Sequence, residues 1–130
     1  MPLKLNVIEI ITADMPAALA FYRRLGLDIP ASADGEEHAE IDLGNGVTLS
    51  WDSADLIEKI NPKYVRPSGG PRIALAFQCG DPAEVDKTYA DLVAHGARGE
   101  MEPFDAEWGP RYAVVLDPDG NGVDLYAPRG

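Results

Sequence analysis

Apolar positions along the chain change period several times, and the changes come twice in the same order. Residues 7–11, Val-Ile-Glu-Ile-Ile, are mostly β-branched and predict a strand. Asp14 is a good helix N-cap and Pro16 suits a first turn. Ala18, Leu19, Tyr22 and Leu25 then recur at helical spacing up to a stop at Gly26. Residues 39–43 and 47–51 read as two strands joined by Gly-Asn-Gly, a composition suited to tight turns at positive φ. From residue 73 the order starts again. Residues 73–77 predict a strand, and Asp81 and Pro82 open a helix carrying Val85, Tyr89, Leu92 and Val93 as far as Gly96. Strands over 112–116 and 123–126 follow, again joined by Gly-Asn-Gly.

The second Gly-Asn-Gly segment nearly copies the first. Gly44-Asn45-Gly46-Val47-Thr48-Leu49 and Gly120-Asn121-Gly122-Val123-Asp124-Leu125 agree at five of six positions. The expected class is α+β: two β-α-β-β-β modules whose cupped mixed sheets enclose a cavity. Residues 1–130 are read as one domain, with module one over about 5–52, a linker over about 53–70 and module two over about 71–128. Asn61-Pro62, Pro67 and Ser68-Gly69-Gly70 mark the linker, and residues 55–60 within it predict a short helix.

Charge narrows the partners. Asp and Glu number 22 against 11 Lys and Arg, a formal net charge of −11. Such a field repels phosphate backbones and argues against nucleic acid as a partner. It attracts cationic ligands, and it also serves solubility. No apolar run approaches the ~18 residues of a membrane span, and residues 1–7 lack the pattern of a signal peptide. The single cysteine, Cys79, reads as a small buried hydrophobe in a reducing compartment, which leads us to expect a cytoplasmic protein.

Three segments carry a family resemblance: Asp14-Met15-Pro16 through Ala20-Phe21-Tyr22-Arg23-Arg24-Leu25-Gly26-Leu27, Trp108-Gly109-Pro110-Arg111-Tyr112, and Asp117-Pro118-Asp119-Gly120-Asn121-Gly122-Val123-Asp124-Leu125. With them the chain resembles the vicinal oxygen chelate superfamily, which includes glyoxalase I, extradiol dioxygenases and the fosfomycin and bleomycin resistance proteins. It looks closest to the metal-free, bleomycin resistance-like drug-binding members. In metal-dependent members, the resemblance implies ligands seven residues before each acidic cap and just after each Gly-rich turn. Those positions are Val7, Ala74, Thr48 and Asp124. Two are hydrocarbon and one is a neutral hydroxyl, whereas divalent metals want several carboxylate or imidazole donors. Glu9, His38 and Asp124 are the remaining donors nearby, since Asn6 falls on the opposite side of its strand from Val7. His95, in a last helical turn, is expected to complement the helix dipole.

Strand alternation predicts the cavity lining. Asp124 and Tyr126 face inward together with Thr48 and Ser50, and with Asp52 if the strand continues. Val7, Glu9 and Ile11 correspond to Ala74, Ala76 and Gln78. Trp51, Tyr64, Phe104, Trp108, Tyr112 and Tyr126 form an expected aromatic rim, Trp51 being open between rim and core, with His38 at a strand start. Trp108 either covers the edge of the core or offers a stacking face, and the resemblance favours the ligand. Trp51 falls on the helix side with Val47 and Leu49, and Tyr22 and Tyr89 are expected in the core. The chain has no Gly-x-Ser-x-Gly elbow, P-loop or His-Glu-x-x-His.

The leading expectation is therefore metal-free, cofactor-free binding and sequestration of a planar, perhaps cationic, small molecule, of the antibiotic-resistance type. Trp108, Tyr112, Phe104, Tyr126 and Asp124 would bind it, supported by His38, Ser50, Tyr64, Glu9 and Gln78. The resemblance also implies a homodimer. Rival expectations are a metal-dependent glyoxalase-like lyase or thiol transferase, a metal-free isomerase or cyclase using a buried carboxylate such as Glu9, Glu40, Asp42 or Asp124, and a module that modulates another protein.

Overall fold

A computed structural model describes residues 3–71 and 73–130, which divide into two units, the first ending at Ser68 and the second beginning at Gly69. The first contains β1 (Val7–Thr12), α1 (Met15–Arg24), β2 (His38–Asp42), β3 (Thr48–Ser53) and α2 (Ala54–Ile60). Its sheet has the order β1-β3-β2, with β1 parallel and β2 antiparallel to β3. The second contains β4 (Ala74–Gln78), α3 (Pro82–Ala94), β5 (Arg98–Asp105), β6 (Arg111–Leu116) and β7 (Gly122–Ala127). Its order is β4-β7-β6-β5, with only the β4/β7 pair parallel. The expected α+β class is what the chain adopts.

Local chemistry sets the helices. Asp14 accepts a hydrogen bond from the Ala17 amide at 3.1 Å, and Asp81 one from the Glu84 amide at 2.8 Å, so each satisfies an amide that the helix leaves without a partner. Gly26 and Gly96 lie just past the C-terminal ends at φ 95° and 98°, the left-handed conformation that lets the chain turn away. Helix α2 begins on a Ser53 cap, whose hydroxyl accepts from the Leu56 amide.

One face of each sheet meets helix. In the first unit Ile10, Leu49 and Trp51 are buried, and the Tyr22 ring of α1 lies 5.4 Å from Trp51. Trp51 is fully buried, as alternation predicted. In the second unit Val115, Val123 and Leu125 are buried beneath α3, which contributes Val85 and Leu92. Tyr89 departs from expectation. It is half-buried, with its ring and hydroxyl lying over Gly99 of β5, where no side chain intervenes.

Three further features differ from the sequence reading. Module one has three strands, not four. Where module two builds β5, module one has a short 3-10 turn, Ala31–Gly35, whose small and acidic residues lack strand patterning. Strand β5 itself is irregular, with register shifts between Gly99 and Met101 and between Met101 and Phe104. Its charges and Pro103 suit an edge strand and hide it from a search for alternation. Third, the two Gly-Asn-Gly segments are not structural equivalents. The hairpins close on Asp42 with Thr48 and on Leu116 with Gly122, so Thr48 is the counterpart in its own sheet of Gly122, and Ser50 of Asp124. Gly44 and Gly46 both adopt positive φ in the turn, whereas Gly122 has already entered β7.

Candidate functional site

The face of each sheet turned away from its helix carries most of the chemistry-bearing side chains, arranged in rows by strand register. In module two one row crosses all four strands: Phe104 on β5, Tyr112 on β6, Tyr126 on β7 and Gln78 on β4. Cross-strand neighbours of this kind touch directly. Phe104 and Tyr112 meet edge to face at 6.0 Å, and the Tyr126 hydroxyl reaches the Gln78 carbonyl at 3.5 Å. One step along, Asp124 lies beside Val114 and Ala76 and accepts a hydrogen bond from the Tyr112 hydroxyl. Burial first, and then the Asp124 carboxylate, push the Tyr112 phenol up to about 12, so it stays a donor at neutral pH.

Trp108 completes this arrangement from the loop between β5 and β6. Its ring packs edge-on against Tyr112 at 5.3 Å and Phe104 at 6.4 Å, yet 69% of its surface is exposed. The loop is held from several sides. The Ala106 amide donates to the Pro110 carbonyl at 2.9 Å and the Gly109 amide to the Ala106 carbonyl at 3.0 Å. Arg129 donates to the Gly109 carbonyl at 2.7 Å and also reaches the Ala106 carbonyl. Trp108, Gly109, Pro110, Tyr126, Pro128 and Arg129 line a cleft of about 510 Å³. That is within the range of small-molecule sites, which run roughly 300–1,000 Å³.

Module one is different in character. Glu9 on β1, Ser50 on β3 and Glu40 on β2 form one row, and Asp52 and His38 pair in the next. His38 Nδ1 lies 2.6 Å from Asp52 Oδ1 and its Nε2 2.8 Å from Glu40 Oε1. Two carboxylates thus hold the imidazole, and their hydrogen bonds raise its pKa, Glu40 contributing most. Glu9 hydrogen-bonds Asp52, and this contact, followed by partial burial and the Asp52 charge, pushes Glu9 up to about 7. Burial pushes Asp52 up, but its hydrogen bonds to Glu9 and His38 outweigh burial and hold it below the usual carboxylate range.

The sequence-derived set therefore falls into two groups. Glu9, His38 and Ser50 come together in module one, and Phe104, Trp108, Tyr112, Asp124, Tyr126 and Gln78 in module two. Tyr64 joins neither row. It follows α2, half-buried, with its amide closing a turn on the Asn61 carbonyl. The sequence reading undervalued Asp52, which bridges Glu9 and His38. Strand β3 extends to Ser53, and the i, i+2 spacing from Ser50 was the signal for its orientation. His95 accords with its reading, its ring donating at 2.8 Å to the Asp91 carbonyl in the last turn of α3. Cys79 is buried, and burial raises its thiol pKa.

The donor set does not fit the metal of the metal-dependent members. Val7 and Ala74 carry no donor atoms, and the register puts Ser50, another neutral hydroxyl, in the place matching Asp124. Asp124 is engaged by Tyr112. Among the described residues, no group of three or more His, Cys, Asp or Glu side chains is arranged to hold a metal ion. Nor is any described helix long and apolar enough to cross a membrane.

Comparison with known proteins agrees with this architecture. Residues 4–125 match the Glyoxalase/Bleomycin resistance protein/Dioxygenase superfamily. The chain is 33% identical to the uncharacterized protein YraH of Bacillus subtilis (strain 168) over 130 aligned positions, covering 95% of this chain and 98% of that protein. A glyoxalase/bleomycin resistance protein/dioxygenase family enzyme from Burkholderia phytofirmans PsJN superposes with a TM-score of 0.81 at 23% identity, covering 97% of this chain and 99% of that one. A glyoxalase-related enzyme from Fulvimarina pelagi gives a TM-score of 0.79, also at 23% identity, over 95% of this chain and 87% of that one. At these identities the two structures speak to the fold alone. With the paired modules and the match over nearly its whole length, the chain belongs to the glyoxalase/bleomycin resistance protein/dioxygenase superfamily.

Proposed function

We propose that this protein binds a planar small molecule in the aromatic cleft of module two and sequesters it without a metal and without breaking a bond. The observation that carries this reading is Trp108, which remains 69% exposed although two aromatic rings and a closed loop hold it in place. An exposed, immobilised indole costs little entropy when a flat ligand stacks on it. Tyr126 and Pro128 supply further apolar surface in the same cleft, and the net charge of −11 favours a cationic ligand. Sequestration of a natural-product antibiotic is the role this chemistry suits, and cytoplasmic residence and a homodimer form part of the proposal. Sedimentation velocity tests the dimer.

Tryptophan fluorescence titration with a panel including bleomycin, a phenazine and an acridine tests the binding. Saturable quenching at micromolar concentration that disappears in Trp108→Ala supports the reading, and a flat response across the panel opposes it. One observation favours a second reading, a metal-free isomerase or cyclase. Glu9 titrates near neutrality, where a carboxyl group works as a general acid or base. Mass analysis of the ligand after prolonged incubation separates the two, because sequestration returns it unchanged.

A further inference from the structure

Trp108 is followed directly by Gly109, at φ 129°, and glycine leaves the backbone freer than any other residue does. Two backbone hydrogen bonds, Ala106 to Pro110 and Gly109 to Ala106, shape the loop from within. Its tie to the neighbouring strand is Arg129. Arg111 pairs with Ala127, so residue 129 falls alongside Gly109 as the two chains run on antiparallel. There the Arg129 Nε–H donates to the Gly109 carbonyl at 2.7 Å and Nη2 to the Ala106 carbonyl at 3.3 Å. These nitrogens share one edge of the planar guanidinium, so a single rigid group holds the chain on both sides of Trp108. The third nitrogen, Nη1, lies 3.5 Å from Asp105 at the end of β5. Asp105 also accepts from Arg111, which grips Asp86 of α3 through two nitrogens. Exposed ion pairs of this kind contribute little singly. The two carbonyl bonds therefore do the holding, and the charges orient the group that makes them.

We propose that Arg129 is a positioning residue for the aromatic cleft: its guanidinium fixes the Trp108 loop, so that a planar ligand meets an indole already ordered. Arg129 lies beyond residues 4–125, which match the superfamily, and outside the segments that carry the resemblance, so the device belongs to this chain's own tail. Its part in binding rests on the stacking reading of the cleft, whereas its hold on the indole does not. Without Arg129, binding has to order the loop as well. Ordering one side chain at an interface weakens affinity by about two- to twelve-fold. Arg129 also lines the cleft, so a direct touch on the ligand is the rival account of any such loss.

The test labels the full chain with 5-fluorotryptophan, which gives one fluorine resonance for each of its two tryptophans. In Arg129→Ala the Trp108 resonance should narrow and move toward that of the free amino acid. Trp51, buried in module one, should stay in place and report that the chain is folded. Calorimetric titration with 9-aminoacridine should show Kd rising about two- to twelve-fold. In a Trp108→Ala background the same Arg129→Ala change should weaken binding no further, because no indole is left to position. Arg129→Lys keeps the charge beside Asp105 without the planar edge and should restore the affinity only in part. An unmoved Trp108 resonance overturns the proposal, as does an undiminished loss in the Trp108→Ala background, which assigns Arg129 a direct contact instead. Full recovery with lysine also overturns it, since charge alone would then suffice. If 9-aminoacridine binds neither protein the stacking reading fails, and the Trp108 resonance alone decides whether Arg129 holds the indole.

Discussion

Replacing Trp108 by alanine separates a ligand platform from a core cover, because the two roles predict opposite balances of stability and binding. The indole is 69% exposed, so truncation removes little buried area. What it loses inside the protein is two edge contacts, to Tyr112 and Phe104. Aromatic pairs contribute about 0.5–1.5 kcal/mol each when packed, and largely solvated ones belong at the lower end. The folded state should therefore lose about 1 kcal/mol. Binding of a planar ligand should weaken by about 1–3 kcal/mol, roughly five- to 150-fold in Kd, as expected for a stacking platform. Urea unfolding measures the first and fluorescence or calorimetric titration with an acridine the second. Trp51→Ala is the matched control. That ring is fully buried against Tyr22, so its loss should cost about 3–5 kcal/mol. A loss of 3 kcal/mol or more for Trp108→Ala would refute the platform reading, and an unchanged Kd would remove Trp108 from the site.

Stability should decline as pH rises from about 4.5 toward 7, because the folded state holds the Glu9 proton that the unfolded chain has already released. The Glu9 contribution is complete below pH 4.5 and lost by the time pH passes its folded value near 7. His38, also raised, contributes in the same direction, whereas the lowered Asp52 contributes stability that is lost only in acid. Unfolding free energies taken across this range should fall less steeply in Glu9→Gln, and an unchanged slope would remove Glu9 as its source. Gly99→Ala places a methyl group against the Tyr89 hydroxyl and ring, so chemical denaturation should show a loss of about 1–3 kcal/mol, relieved by Tyr89→Leu. Asp14→Ala removes the α1 cap at the Ala17 amide and should cost about 1 kcal/mol, with Asp14→Ser recovering most of it.

The repeated order of strand, capped helix and hairpin was legible in the sequence because each part is written locally. Asp14 and Asp81 cap, Gly26 and Gly96 stop, and alternation assigned Trp51 to the helix side and Asp124 and Tyr126 to the other. That Val7 and Ala74 offer no metal donor was legible too, because a hydrocarbon side chain supplies no ligand in any fold. Pairing register was not. Two similar Gly-Asn-Gly segments look equivalent along the chain, yet the strand pairing within each sheet shifts one by two residues and makes Ser50, not Thr48, the counterpart of Asp124. Strand β5 was also hidden, since an edge strand with bulges and charges owes its existence to its neighbour β6 rather than to its own pattern. The sequence by itself determined the modules, their inner and outer faces and which atoms each face can offer. Tertiary structure alone decided which of them meet. It aligned Phe104, Tyr112, Tyr126 and Gln78 across four strands and joined Glu9 to His38 through Asp52, because register and burial, not residue type, set contact and pKa.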